Sequence, residues 1–164
     1  MQILKWFVIG TAALALLVVL AARLGAFSGH APDNMGVRDG RLRPPSKTPN
    51  SVSSQADLWA QHPMQDYARI APLALRGSGQ ATLAQIERIV EAMPGAKVVE
   101  SRGDYLYVQF TTQWMKFVDD AEFWFDPVHA VVQVRSASRL GRKDFGVNRA
   151  RIESIRHALA ASAG

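Results

Sequence analysis

FVDDAEFWFDPVHAVVQVRSA, residues 117–137, decides the fold, because it predicts two neighbouring strands and the way they pair. Aromatic and β-branched residues run up to a turn at 126–129 and resume after it. Pairing Phe125 with Ala130 makes one face of this hairpin entirely apolar and places Asp120 opposite Arg135. A slip by one residue would exchange the two faces, so the apolar face supports this register. The stretch therefore predicts an antiparallel hairpin that carries an Asp120–Arg135 pair.

The elements around this hairpin predict an α+β fold. Residues 97–101 and 104–111 form a second hairpin, with the turn signal Arg102-Gly103 between them. Thr82 is a natural N-cap for a helix that precedes this second hairpin. Asn148 is a natural N-cap for a helix that follows the sheet and runs to Ala161. The predicted order is helix, four antiparallel strands, helix, with both helices on one face of the sheet. Residues 50–54 offer a further N-terminal edge strand.

The N-terminal segment is apolar enough to cross a membrane. Trp6 to Ala22 are 17 residues without a charge, flanked by Lys5 and Arg23. The run is long for the core of a signal peptide and slightly short for an ideal span, and Arg23 can reach the interface. No small-residue cleavage site follows closely, which favours an uncleaved anchor over a signal peptide. We therefore predict an anchor over residues 1–27, a Pro/Ser/Gly-rich linker over 28–55 and an α+β domain over 56–164.

The orientation of this single-pass membrane protein stays open at the level of sequence. The bases that follow the apolar run, from Arg23 to Lys47, favour a cytoplasmic domain by the positive-inside rule. A short N-terminal tail of this kind more commonly stays inside, with the domain exported. We expect an extracytoplasmic domain in the cell envelope and keep the cytoplasmic alternative.

The amino-acid composition limits the kinds of functional site that the chain can form. The chain has no cysteine, so disulfide and thiolate chemistry are absent. Its four histidines are scattered without metal-ligand spacing, so we expect no metal and no cofactor. The formal net charge of +5 is too mild to indicate nucleic-acid binding.

The segment from Arg135 to Ile152 is the main functional candidate. It is rich in arginine, contains Gly141 and Gly146, and lies between a strand and a helix, where scaffolds often present function. Arginines and a helix N-terminus suit an anionic partner, such as a lipid headgroup or an envelope protein. In a second interpretation the same residues are a structural clamp, in which nearby acids neutralise the arginines. The candidate residues are Asp119, Asp120, Glu122, Arg135, Ser136, Ser138, Arg139, Arg142, Lys143, Asp144, Asn148 and Arg149.

Several motifs together resemble one family. PNSVSS at 49–54, VDDAEF at 118–123, VRSASR at 134–139 and DFGVNR at 144–149 resemble the DUF1499 family in order and spacing. The resemblance covers roughly residues 42–160 and implies no known activity. It implies a bacterial or plastid domain that often follows a membrane segment.

Two classes of function remain. The first is a non-catalytic binding or accessory module, anchored in a membrane, that recognises an anionic partner through the Arg-rich loop. The alternative is an enzyme that uses Asp119, Asp120 and Glu122 together with Arg135 and Arg139. We favour the module, because a run of carboxylates next to arginines arises in structural ion networks as well as in active sites.

Overall fold

A computed structural model describes residues 1–162; the last two positions of the predicted domain, 163 and 164, lie outside this range. The helices are α1 (Gln2–Arg23), α2 (Gln65–Ala68), α3 (Gly79–Glu91) and α4 (Val147–Ala161), with a 3₁₀ turn at Ala56–Leu58. The strands are β1 (Ser51–Ser53), β2 (Leu73–Ala74), β3 (Ala96–Arg102), β4 (Tyr105–Thr111), β5 (Val118–Asp126) and β6 (Val131–Ser138).

The predicted α+β class is confirmed. The four long strands follow one another as antiparallel neighbours in the order β6-β5-β4-β3. Two short strands, β1 and β2, extend the sheet by pairing with β6. The predicted edge strand at 50–54 is therefore present as β1, and β2 was not expected.

Helices α3 and α4 both cover one face of the sheet, which we call the helix face. Ile86 and Val90 of α3 meet Ile152 and Ile155 of α4 over the sheet residue Phe123, and all five are fully buried. Burial of each such side chain contributes about 1.5–3 kcal/mol. This single apolar layer is the main core and fixes the helices on the sheet.

The opposite face, here called the outer face, is covered by a segment without helix. Residues 35–44, which we call the strap, lie across β4 and β5. Leu42 of the strap is buried against Tyr105 and Tyr107. At the tip of the strap, Asp39 and Gly40 both have positive φ and join a two-residue hairpin between Arg38 and Arg41. That turn chemistry is the one that two-residue hairpins prefer.

The predicted register of the β5–β6 hairpin is wrong by two residues. Phe125 pairs with Val132, and Asp126 pairs with Val131, the last pair before the turn. The reason lies in the turn. The buried Asp126 carboxylate accepts the backbone N–H groups of Val128 and His129, and Ala130 has a φ of 52°, so it cannot continue the strand. A shift of two preserves both faces and changes only which residues are opposite each other.

Helix α3 begins earlier than its predicted N-cap. The Ser78 hydroxyl accepts the N–H of Ala81, so Ser78 is the N-cap. Thr82 is buried inside the first turn, where its hydroxyl donates to the carbonyl of Ser78 and accepts the N–H of Arg76. The interpretation of Thr82 as the cap was therefore wrong by one turn.

The residues that directly follow helix α1 contact the domain. Helix α1 is the only helix in the described chain long and apolar enough to cross a membrane, and a signal sequence would pass the same test. Beyond it, the ring of Phe27 lies 5.6 Å from the ring of Phe117. A Cβ atom at Gly29 would lie 2.8 Å from the Cβ of Arg139. The end of α1 is thus next to the loops at 112–117 and 139–146, which we call the anchor-side loops.

Candidate functional site

The carboxylate side chains of strand β5 lie on both faces of the sheet. Asp120 and Glu122 point to the outer face, whereas Asp119 lies on the helix face, because side chains alternate along a strand. The three acids therefore belong to two separate networks.

On the outer face, Asp120 pairs with Arg139. The guanidinium donates from Nε at 2.8 Å and from Nη2 at 2.7 Å, one bond to each carboxylate oxygen. The Tyr107 hydroxyl donates to the same carboxylate and accepts a bond from Gln109. Both side chains of the ion pair are almost fully buried. The bond to Asp120 raises the pKa of Arg139, so this arginine stays charged and paired.

The Asp120–Arg135 pair predicted from sequence does not form. Asp120 lies opposite Ala137, and Arg135 lies opposite Glu122, as the register shift requires. Arg139, two residues beyond Ala137 on the same face, reaches Asp120 instead. The sequence therefore placed Asp120, Glu122 and Arg135 correctly on one face, but the predicted partner of Asp120 was wrong.

Glu122 and Arg135 form the most deeply buried charged pair. The Glu122 Oε1 atom accepts bonds from the Tyr105 hydroxyl and the Gly36 N–H of the strap, both at 2.9 Å. Its Oε2 atom is buried without a hydrogen bond within residues 1–162, and Arg135 Nη1 is 3.9 Å away. Arg135 Nε donates to the carbonyl of Pro44. Burial, together with the nearby guanidinium of Arg43, lowers the pKa of Arg135 to about 10, although Glu122 opposes the shift.

On the helix face, Asn148 ties strand β6 to helix α4. Its side-chain amide donates to Ser138 Oγ and to Asp144 Oδ2, both at 3.0 Å, and its carbonyl accepts from the Ser136 hydroxyl at 2.6 Å. Asn148 is fully buried and is not the N-cap that the sequence predicted. Gly146 occupies the cap position, and Asp144 accepts the N–H groups of Gly146 and Asn148.

Arg151 completes the helix-face network and was missed in the sequence. Its Nη2 atom donates to Asp119 at 2.6 Å, and its guanidinium lies 4.4 Å from the Phe110 ring centroid. Tyr105 and Tyr107 were missed as well. Pairing β4 with β5 in sequence would have found them, since Tyr107 is opposite Glu122 and Tyr105 is opposite Trp124, both on the outer face.

The remaining bases of the Arg-rich segment differ in their partners. Arg149 donates to the backbone carbonyls of Tyr67 and Arg69, so it joins α4 to α2 without an acid. Arg142 and Lys143 are exposed and form no salt bridge within the described residues. Four arginines of the segment are thus bonded within the fold, whereas two bases, Arg142 and Lys143, have no acid partner among the described residues: the bonded ones are Arg135, Arg139, Arg149 and Arg151.

The geometry does not bring the three candidate carboxylates of β5 together on one face of the sheet. Asp119 is separated by the sheet from Asp120 and Glu122, and each of the three is held by a tyrosine or an arginine. Among residues 1–162, no group of three or more His, Asp or Glu side chains is placed to hold a metal ion.

An antiparallel sheet with two helices on one face, a strap on the other and an apolar helix in front defines the class: a small α+β domain behind a candidate membrane helix. The chain belongs to a family described as "Protein of unknown function (DUF1499)", whose model matches residues 41–159. The match covers more than half of the chain and confirms the resemblance. Neither the search of curated proteins nor that of solved structures found a match.

Proposed function

We propose that the chain is a membrane-anchored binding module whose anchor-side loops recognise anionic lipid headgroups. The observation that carries the proposal is that unpaired bases and exposed aromatic rings occupy the two loops that touch the end of α1. The proposal rests on charge, on apolar exposure and on position, taken in turn below.

The charge argument rests on Arg142 and Lys143. The acids of the neighbourhood are already occupied: Asp120 by Arg139, Asp119 by Arg151, and Asp144 by Tyr67 and the start of α4. Two exposed cations without an acid contribute little to folding. Near an anionic bilayer each contributes about 1 kcal/mol of binding free energy.

The apolar argument rests on Phe145 and Trp114. The Phe145 side chain is 93% exposed, and its φ of 53° is unfavourable for a residue with a bulky side chain. Trp114, in the other anchor-side loop, is 70% exposed. Neither ring is in the core, so folding does not explain them. Aromatic rings beside bases are typical of the membrane–water interface.

The positional argument rests on the contacts of the anchor. Phe27 meets Phe117 in one anchor-side loop, and Gly29 packs against Arg139 and Leu140 in the other. If α1 spans the bilayer and is retained, both loops are held at the membrane surface. Retention and single-pass insertion are part of the proposal, with the domain on the extracytoplasmic side. Intact-mass measurement of membrane-extracted protein tests retention, and a compartment-specific reporter fused after residue 164 tests orientation.

Vesicle binding tests the recognition itself. We expect residues 28–164 to bind vesicles containing phosphatidylglycerol, to bind phosphatidylcholine vesicles weakly, and to lose binding with added salt. Replacing Arg142→Gln and Lys143→Gln removes about 2 kcal/mol, or roughly a 30-fold loss of affinity. The melting temperature is expected to stay nearly unchanged.

The matched control removes the same charge elsewhere. Arg76 and Arg88 are exposed and form no salt bridge in the described chain, and Arg76 precedes α3 near Phe125, at the opposite end of the sheet. Arg76→Gln with Arg88→Gln is expected to retain binding to anionic vesicles. Equal losses of vesicle affinity in the two double variants would mean that binding depends on the net charge of the domain and not on the anchor-side loops. Absence of salt-sensitive binding in the unsubstituted chain would refute the proposal.

A further inference from the structure

A cavity of about 450 Å³ lies on the outer face, between the strap and Trp59. Its volume falls within the range of small-molecule sites, roughly 300–1,000 Å³. The charged residues that line it are Arg38, Asp39, Arg41 and Arg43, so three cations face one anion. None of the residues of the anchor-side loops lines this cavity.

The backbone of the strap places the three arginines on one side. Arg38 and Arg41 exchange both backbone hydrogen bonds across the Asp39-Gly40 turn, so they are directly opposite and share a face. Arg43 follows Arg41 by two positions, with the buried Leu42 pointing the other way. Like charges placed directly opposite each other destabilise a hairpin.

Hydrogen bonds from the Gln55 side chain hold the backbone of this hairpin in place. The Gln55 side chain accepts the Leu42 N–H at 2.8 Å and donates to the Gly40 carbonyl at 2.9 Å. Gln55 itself is buried. The backbone of the hairpin is therefore fixed with these arginines on one face, although repulsion between like charges opposes that placement.

The donors around the cavity lack matching acceptors within residues 1–162. Arg38, Arg41 and Arg43 form no salt bridge there, and the side-chain hydrogen bond of Arg43 goes to the thioether sulfur of Met35, a weak acceptor. The guanidinium of Arg41 lies 5.9 Å from the centre of the Trp59 ring. The three arginines therefore have no anionic partner there, and an oxyanion in the cavity would supply one.

We propose that this cavity binds a small multivalent oxyanion, a molecule with at least two phosphate or carboxylate groups. Arg38, Arg41 and Arg43 pair with its charges, and the Trp59 ring faces the guanidinium of Arg41 from the wall of the cavity. The bound anion removes the repulsion across the Arg38–Arg41 hairpin. The site is independent of lipid recognition by the anchor-side loops.

Calorimetric titration of the full chain in zwitterionic detergent, at low ionic strength, tests the site. The probes are sodium pyrophosphate and sodium citrate, with sodium chloride as the control. We expect saturable binding of at least one oxyanion and none of chloride. Arg41→Gln is expected to weaken binding about tenfold or more, because one charge-assisted pairing with the anion is lost. A higher affinity for pyrophosphate than for citrate identifies phosphate as the recognised group, and the reverse order identifies carboxylate.

Two further readouts separate this site from a loss of folding and from lipid recognition. Without ligand, Arg41→Gln is expected to melt at the same or a higher temperature, because one of two repelling charges is removed. The Arg142→Gln, Lys143→Gln variant is expected to bind the oxyanion normally, and Arg41→Gln to bind anionic vesicles normally. No saturable binding of either probe, or equal weakening by the Arg142→Gln, Lys143→Gln variant, overturns the proposal. Should Arg41→Gln unfold the chain, Arg38→Gln gives the same test.

Discussion

The pair Asp120–Arg139 distinguishes the observed register of the β5–β6 hairpin from the one predicted by apolar pairing alone. The two side chains are 2% and 8% exposed and share two charge-assisted hydrogen bonds. Replacing one member leaves the other charge buried and unpaired, which costs about 3–5 kcal/mol. For a chain of this size that loss lowers the melting temperature by roughly 6–20 °C.

A double-mutant cycle with Asp120→Asn and Arg139→Gln measures the pairing. Urea denaturation of the full chain in detergent micelles, followed by tryptophan fluorescence, gives the free energies of unfolding. We expect the double variant to be less destabilised than the sum of the single variants by about 1.5–3 kcal/mol. Asp120→Asn combined with Arg142→Gln is the control and is expected to be additive. Additive effects for Asp120 with Arg139, or stronger coupling of Asp120 to Arg135 than to Arg139, would refute the observed register.

Three further predictions concern the supports of the fold. Leu42→Ala empties the contact between the strap and the tyrosines of β4, and it is expected to lower the free energy of unfolding by about 2–5 kcal/mol in the same urea assay. Gly79→Ala places a Cβ atom in steric overlap with the ring of Phe125, so a loss of about 1–3 kcal/mol is expected, and an unchanged midpoint would contradict that close packing. Burial opposes ionisation of Asp144, but hydrogen bonds from Tyr67, Asn148 and two backbone amides prevail and lower its pKa. Its carboxylate therefore stabilises the fold above about pH 4, and that contribution is lost as pH falls further. Asp144→Asn is expected to flatten the stability–pH curve in that acid range, and an unchanged curve would contradict the assignment.

The strands and helices were predictable because each has its own local signal. The alternation of apolar residues from Val118 to Ser138 shows which face is buried, and the structure keeps those faces. The register was not predictable from the same pattern, since a shift of two preserves every face. It was decided by the Asp126 turn, where a side chain bonds to the backbone.

The candidate site was predicted only in part. Asp120, Glu122, Arg135 and Arg139 share one face as alternation requires, whereas the link from Asp119 to Arg151 depends on how α4 packs over the sheet. The strap was not predictable as a cover for the outer face, because its sequence resembles a linker. The Asp39-Gly40 dipeptide is the turn signal that would have marked its hairpin.

The measurement that tests most directly whether the anchor-side loops contact the membrane is the depth of a single nitroxide label. The natural chain has no cysteine, so Phe145→Cys and Val128→Cys each give one labelled position. Val128 is 84% exposed in the β5–β6 turn, at the far end of a nine-residue strand that spans about 30 Å. In full-length protein reconstituted into phosphatidylglycerol vesicles, we expect the label at 145 to be accessible to oxygen and shielded from a water-soluble relaxant. The label at 128 is expected to show the opposite, and equal aqueous accessibility at both positions would contradict the account.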